Sequence, residues 1–206
     1  MIIKRTANAG VLLELDDVSF LLDGVAEELV PYIGTPQNIR ENLTQNPPDV
    51  VAFTHLHKDH YDKSYAEEYT KTTLRPVYGP ECLPPENTQN IEIEAVPTRH
   101  IGKAEIPHIS YVIYGSKCVW FMGDASPLMW KDADKFPKPD VVIAPYAYAI
   151  TASAWNITKS LGAKEIVLVH FPLRECDEHG LWNSAQQNVG EDSSVHIPDI
   201  GQVIEI

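Results

Sequence analysis

Nine consecutive residues, Thr54-His55-Leu56-His57-Lys58-Asp59-His60-Tyr61-Asp62, carry three imidazoles and two carboxylates. Imidazole and carboxylate donors without thiolate suit zinc, manganese or iron, and ligand type alone does not choose among them. His55 and His57 are two apart, so an extended segment turns both to one side. Asp59 and His60 are adjacent, expected in the opening turn of a helix running through residues 64–71, and aim elsewhere. One short motif can therefore feed two neighbouring metal sites. The spacing is not H-E-x-x-H, which sets two histidines one helical turn apart around a glutamate base.

The elements that must position these donors are read from apolar runs and breakers. Residues 49–53 are short, apolar and valine-rich, a buried strand emptying into the histidine loop. Upstream, Val11–Leu15 and Val18–Leu22 form a hairpin across Asp16-Asp17, and Asp23-Gly24 ends the second run. From local sequence Asp23 is a turn residue. Residues 25–36 are irregular, with Pro31, Gly34 and Pro36, a candidate pocket rim. Gln37–Gln45 reads as a short helix stopped by Pro47-Pro48. Downstream come a Pro/Gly-rich connector (76–85), a strand (91–96) ending before His100, and a hairpin of 106–114 and 117–122 ending at Gly123-Asp124. A buried strand (140–144), a helix (152–161) closed by Gly162, and the strand Glu165–Val169 ending at His170 complete the series. The tail, 175–188, is polar with a short helix, and 202–206 form a closing strand. His55, His100, Asp124 and His170 each follow an apolar strand, so aligned strands gather them along one edge. Two β-sheets packed face to face with helices outside suit this pattern.

Composition narrows the partners. The chain has 206 residues, 44% of them hydrophobic, enough for one domain spanning 1–206 with a sizeable core. A net charge of −13 disfavours nucleic acid and anionic membrane, leaving a small molecule as the expected partner. Cys82, Cys118 and Cys176 are odd in number and far apart, which implies a reducing compartment. The N-terminus lacks the apolar core of a signal peptide and no run reaches membrane-spanning length, so a cytoplasmic location is expected.

His-x-His-x-Asp-His followed by Asp62 resembles the signature of the metallo-β-lactamase-fold hydrolases, and Asp23, His100, Asp124 and His170 appear in that family's order. The resemblance implies an α/β (α+β) fold, a four-layer αββα sandwich of two packed mixed β-sheets with outer helices. It implies that His55, His57 and His100 hold one metal, that Asp59, His60 and His170 hold a second, and that Asp124 bridges them. Asp23 then braces the metal loop. Two divalent ions, zinc by default and manganese or iron otherwise, would supply an activated hydroxide and stabilise an anionic transition state. Asp59 and Asp124 are the catalytic carboxylates in this reading, Asp59 orienting the nucleophile or shuttling a proton.

Departures within the motifs choose among branches. True β-lactamases of this fold generally lack a histidine at the position of His60, and flavodiiron oxidoreductases usually carry glutamate where His57 stands. Glyoxalase-like thioesterases and persulfide dioxygenases show glycine-histidine where this chain has Thr98-Arg99-His100. The RNA-gripping arm of the tRNA-processing nucleases is not evident. The compact branch related to the ascorbate-phosphate lactonases is most similar, although Gly123-Asp124 is followed by Ala125-Ser126 where that branch usually has threonine. Hydrolysis of a small ester, lactone or phosphodiester is the leading expectation. An iron-dependent oxidoreductase or a non-catalytic metal-binding domain are the alternatives. His108, His179 and His196 match no ligand position and are expected to be structural, with His108 able to reach the pocket. Tyr146 and Tyr148 are candidates to line the site, and Lys58 and Arg99 to attract an anionic substrate.

Overall fold

The computed structural model describes residues 1–102, 105–130 and 133–206. The first half builds β1 (Ile2–Arg5), β2 (Val11–Leu15), β3 (Val18–Leu22), α1 (Gln37–Gln45), β4 (Val50–Ala52), α2 (Lys63–Thr73) and β5 (Val77–Tyr78). The β2–β3 turn, Asp16-Asp17, has φ of 50° and 64°. This is the left-handed pair that a two-residue hairpin requires and that aspartate tolerates. β3 and β4 then pair in parallel, with Leu22 opposite Ala52, which sets Asp23 beside the exit of the histidine loop.

The second half builds β6 (Asn87–Thr88), β7 (Ile91–Pro97), β8 (Ile109–Tyr114), β9 (Cys118–Phe121), β10 (Val141–Pro145), α3 (Ala152–Ser160), β11 (Glu165–Val169), α4 (Leu181–Val189) and β12 (Val195–His196). The final strand, β13 (Val203–Glu205), returns to the first sheet. The sheet orders are β13-β1-β2-β3-β4-β5 and β12-β11-β10-β9-β8-β7-β6, both mixed. β7 and β9 are each antiparallel to β8, and β10 and β11 run parallel to β9. All four therefore end on the same edge, which is what gathers His100, Asp124 and His170.

Period-two alternation explains the layers. Phe20 and Phe121 point into the core between the sheets with Val11, Leu13, Tyr111 and Ile143. Their neighbours point outward, Leu21 against Ile39, Leu43, Tyr65 and Tyr69 of α1 and α2. Trp120 packs on the opposite outer face with Trp130, Tyr148, Trp155 and Trp182. The result is the four-layer sandwich.

Three boundaries differ from the sequence reading. Asp59 and His60 lie in a turn before α2 rather than in its opening turn. The amides of His60 and Tyr61 both bond the His57 carbonyl, and Asp62, as N-cap, accepts from the Tyr65 amide at 2.9 Å. The connector 76–85 contains β5 and a Gly79–Cys82 bridge. Strand β8 starts only at Ile109, because Pro107 donates no ladder hydrogen bond. The tail holds the short helix expected there, α4, which buries Trp182 and Ala185.

Candidate metal centre

The two sheets meet at the site. The Ile109 amide donates to the Thr54 carbonyl at 3.0 Å, and the Tyr111 hydroxyl donates to the Phe53 carbonyl at 2.9 Å. This ties the histidine loop of one sheet to the strands of the other. Asp23 sits beneath that loop with no exposed surface and accepts three hydrogen bonds. They come from the Thr54 amide (2.7 Å), the Thr54 hydroxyl (2.7 Å) and His60 Nδ1–H (2.8 Å). Thr54 Oγ1 in turn lies 3.0 Å from His55 Nδ1 and accepts its proton. Asp23 thus orients two imidazoles at once and leaves both Nε2 atoms facing the cavity, the role that outer carboxylates play behind metal-binding histidines. Asp23 and His170 both adopt left-handed backbone, φ 46° and 67°, strain of the kind that clusters at functional sites.

The donor atoms fall into two groups compact enough to hold an ion, His55/His57/His100 and Asp59/His60/His170. Asp124 lies between them: its Oδ2 is 3.6 Å from the Nε2 atoms of His60, His100 and His170 alike. Asp23/His55/His60 also satisfies the spacing, but the Asp23 oxygens are already occupied by their three donors. His55 Nε2, His100 Nε2 and Asp59 Oδ1 are buried without a hydrogen-bond partner among the described residues. Buried polar atoms normally have partners, so these orphans fit a site built for cations. His100 is oriented by donating Nδ1–H to the Ile101 carbonyl at 2.5 Å. His170 Nδ1 lies 3.1 Å from Asn8 Nδ2, and Asn8 Oδ1 has no hydrogen-bond partner among the described residues. Turning that amide over lets Oδ1 accept the Nδ1 proton and leaves Nε2 for an ion.

Electrostatics follow from this crowding. Burial opposes protonation of His60, but Asp124 and Asp23 together push its pKa up to about 10. Burial would raise the Asp124 carboxyl, yet His170 and His60 hold it well below the usual range. Burial pushes His55 strongly down and His108 down to about 3, the latter against the pull of Asp124.

The other candidates separate clearly. His108 reaches the site, 5.1 Å ring to ring from His55, but accepts the Asp124 amide through Nε2. His196 pairs with Glu165 at 2.8 Å, and His179 is exposed on a loop. Tyr146 stays at the site, 6.1 Å from the His170 ring, whereas Tyr148 is fully buried. The Tyr148 hydroxyl accepts from Trp130 Nε1 and donates to the Ala125 carbonyl. Lys58 pairs with Glu27 at 2.9 Å, and Arg99 is exposed. Asp62 is turned away, capping α2 and binding Arg40 at 2.6 Å.

Sequence reasoning missed Asn8, Arg40 and Tyr32. Arg40 donates to the carbonyls of Ala26 (2.6 Å) and Thr35 (3.1 Å), closing the base of the 25–36 loop. The loop tip sets the Tyr32 ring edge-on to His170 at 4.5 Å and its hydroxyl 3.4 Å from that of Tyr146. Burial, then Tyr146, then the charges of Asp124 and Asp59 raise the Tyr32 pKa, so its hydroxyl stays protonated beside the carboxylates. The only signal for Tyr32 in the sequence is an aromatic within a rim-like loop.

A family described as the β-lactamase superfamily domain matches residues 6–170, and the chain belongs to it. No curated protein sequence matches significantly. Among solved structures, an isothiocyanate hydrolase from Delia radicum gut bacteria is 17% identical with a TM-score of 0.72, covering 100% of this chain and 99% of that one. A possible metal-dependent hydrolase from Veillonella parvula DSM 2008 is 16% identical with a TM-score of 0.74, over 100% and 99%. CmlA, a diiron β-hydroxylase from Streptomyces venezuelae, is 15% identical with a TM-score of 0.65, over 100% of this chain and 54% of that one. These likenesses show the fold.

Proposed function

We propose that this chain is a metal-dependent hydrolase that holds two divalent ions, zinc by default with manganese or iron as alternatives, and cleaves a small ester, lactone or phosphodiester. The observation that carries the reading is the position of Asp124 Oδ2, equidistant from three Nε2 atoms between two compact donor groups. His55, His57 and His100 would hold one ion, Asp59, His60 and His170 the other, and Asp124 both. Bound there, such ions supply Lewis acidity and acidify a water so that it attacks at neutral pH.

The chain's own groups supply the rest. Asp59, whose Oδ2 lies 3.2 Å from His170 Nε2, would give one oxygen to the ion and keep the other to take a proton. The protonated Tyr32 hydroxyl, beside Tyr146, is a donor for an anion developing on the substrate. The 25–36 loop, pinned by Arg40, holds Tyr32 against His170 on that side of the site. Free Cys82, Cys118 and Cys176 support a reducing, cytoplasmic setting, and the acidic charge supports a small-molecule partner over nucleic acid or membrane. Among the described residues no helix is long and apolar enough to cross a membrane.

The test is a panel of ester, lactone, phosphodiester and isothiocyanate substrates offered to protein reconstituted with each metal, beside His57→Ala. Turnover of an ester, lactone or phosphodiester that His57→Ala abolishes supports the reading, whereas turnover of the isothiocyanate alone keeps the metal-dependent hydrolase and rejects the substrate class. An unchanged rate with the metal lost rejects the reading, and inactivity across the panel leaves a metal-binding domain. The likeness to a diiron β-hydroxylase favours iron-dependent oxidation as the second reading. Zinc or manganese without iron in protein isolated from cytosolic expression would count against that reading.

A further inference from the structure

Resting on the reading that Asp124 bridges two ions, we infer that His108 is a positioning residue that sets the bridging carboxylate through the Asp124 backbone, acting from its neutral Nδ1–H tautomer. His108 is buried and its ring lies 5.1 Å from His55 and 5.7 Å from His100, close enough to be mistaken for a further ligand. Its hydrogen bonds exclude that role. The Asp124 amide donates to His108 Nε2 at 3.0 Å, so Nε2 carries no proton and is not free for an ion. Nδ1 therefore carries the proton and donates to Thr98 Oγ1 at 2.7 Å.

The relay continues with every hydroxyl assigned. The Ser110 hydroxyl donates to the Met122 carbonyl at 2.8 Å, leaving Ser110 Oγ to accept from the Thr98 hydroxyl at 3.2 Å. Protons thus point one way, from Asp124 through His108, Thr98 and Ser110 to Met122, two residues before the start. The loop is closed by backbone contacts across the same two ligand turns. The Ile101 amide donates to the Asp124 carbonyl at 2.7 Å and the Ser126 amide to the Arg99 carbonyl at 2.7 Å. The turn carrying His100 and the turn carrying Asp124 are in this way one unit, with His108 as the side chain that joins them. Among the described residues no other side chain accepts from the Asp124 amide, so loss of His108 frees the one backbone donor that fixes the carboxylate's starting point.

The experiment pairs zinc titration against a chromophoric chelator with nitrogen-15 spectroscopy of the imidazoles in metal-free protein. Wild type should show His108 as the Nδ1–H tautomer and take up two ions. His108→Ala should bind the second ion about 10–100-fold more weakly, and His108→Gln, whose Oε1 accepts the same amide proton, should return the affinity towards wild type. Thr98→Val, which keeps His108 but removes the acceptor that locks its tautomer, should weaken the second ion and mix the tautomers. It also serves if His108→Ala does not fold. An Nε2–H tautomer in the wild type, or second-ion affinity unchanged in His108→Ala or Thr98→Val, overturns the inference. If wild-type protein takes up fewer than two ions, the dinuclear reading fails, and the tautomer alone then decides whether His108 braces Asp124.

Discussion

The Asp23 carboxylate lies 2.8 Å from His60 Nδ1, and neither side chain has any exposed surface. The same carboxylate takes both protons that Thr54 offers. A single buried aspartate therefore anchors the loop that contributes His55, His57, Asp59 and His60.

Asp23→Ala strands these three donors in the interior. It should cost about 3–5 kcal/mol of folding stability, the usual consequence of removing one partner of a buried charged pair. Asp23→Asn keeps the shape but loses the charge, and should weaken metal binding about 10–100-fold with a smaller stability loss. Urea denaturation of the metal-free protein and a metal titration separate the two effects.

Metal uptake should release a proton from His60. With its pKa near 10 in the metal-free protein, His60 carries that proton at pH 7, and an ion on Nε2 must displace it. The sign is fixed: affinity rises with pH through neutral to mildly alkaline conditions, by about tenfold per unit for one proton. Calorimetry in buffers of different ionisation enthalpy reads the proton count. No release would show that His60 is neutral in the metal-free protein.

Tyr32→Phe removes only a hydroxyl and keeps the ring against His170. If that hydroxyl donates to a developing anion, kcat should fall about 100-fold with KM little changed. Tyr32→Ala should in addition loosen His170 and lower metal affinity. Steady-state kinetics on the best substrate of the panel check this, and an unchanged kcat in Tyr32→Phe removes the phenol from the chemistry.

Gly123 has φ +53°, and a Cβ there would come within 2.5 Å of the Thr54 side chain. Gly123→Ala therefore adds backbone strain and a clash directly above the Asp23 anchor. It should destabilise by about 1–3 kcal/mol, visible as a lower urea midpoint with an unchanged slope.

Much of this was legible in the sequence because the donors sit at the ends of apolar runs. β4, β7 and β11 announce themselves by valine and isoleucine and β9 by Val119, Trp120 and Phe121, and His55, His100, Asp124 and His170 follow these strands. Two packed sheets with outer helices were legible too, but which side chain meets which layer was not, since Phe20 and Leu21, like Trp120 and Phe121, are apolar on both faces of the strand. What escaped was non-local. Asn8 behind His170, Arg40 under the rim and Tyr32 above it act across 162, 22 and 114 residues to His170, Asp62 and Tyr146 respectively. Their neighbours in sequence carry no trace of those partners. Tyr146 and Tyr148 were indistinguishable two residues apart, and only the 3-10 turn at Tyr146–Tyr148 sends one hydroxyl to the site and the other under Ala125.

The central claim is that seven side chains hold two ions with Asp124 between them. Anomalous diffraction at the metal edge from zinc-reconstituted crystals measures this directly. The account predicts two peaks, one among His55, His57 and His100 and one among Asp59, His60 and His170, both in reach of the Asp124 carboxylate. A single peak, or peaks away from Asp124, would contradict it.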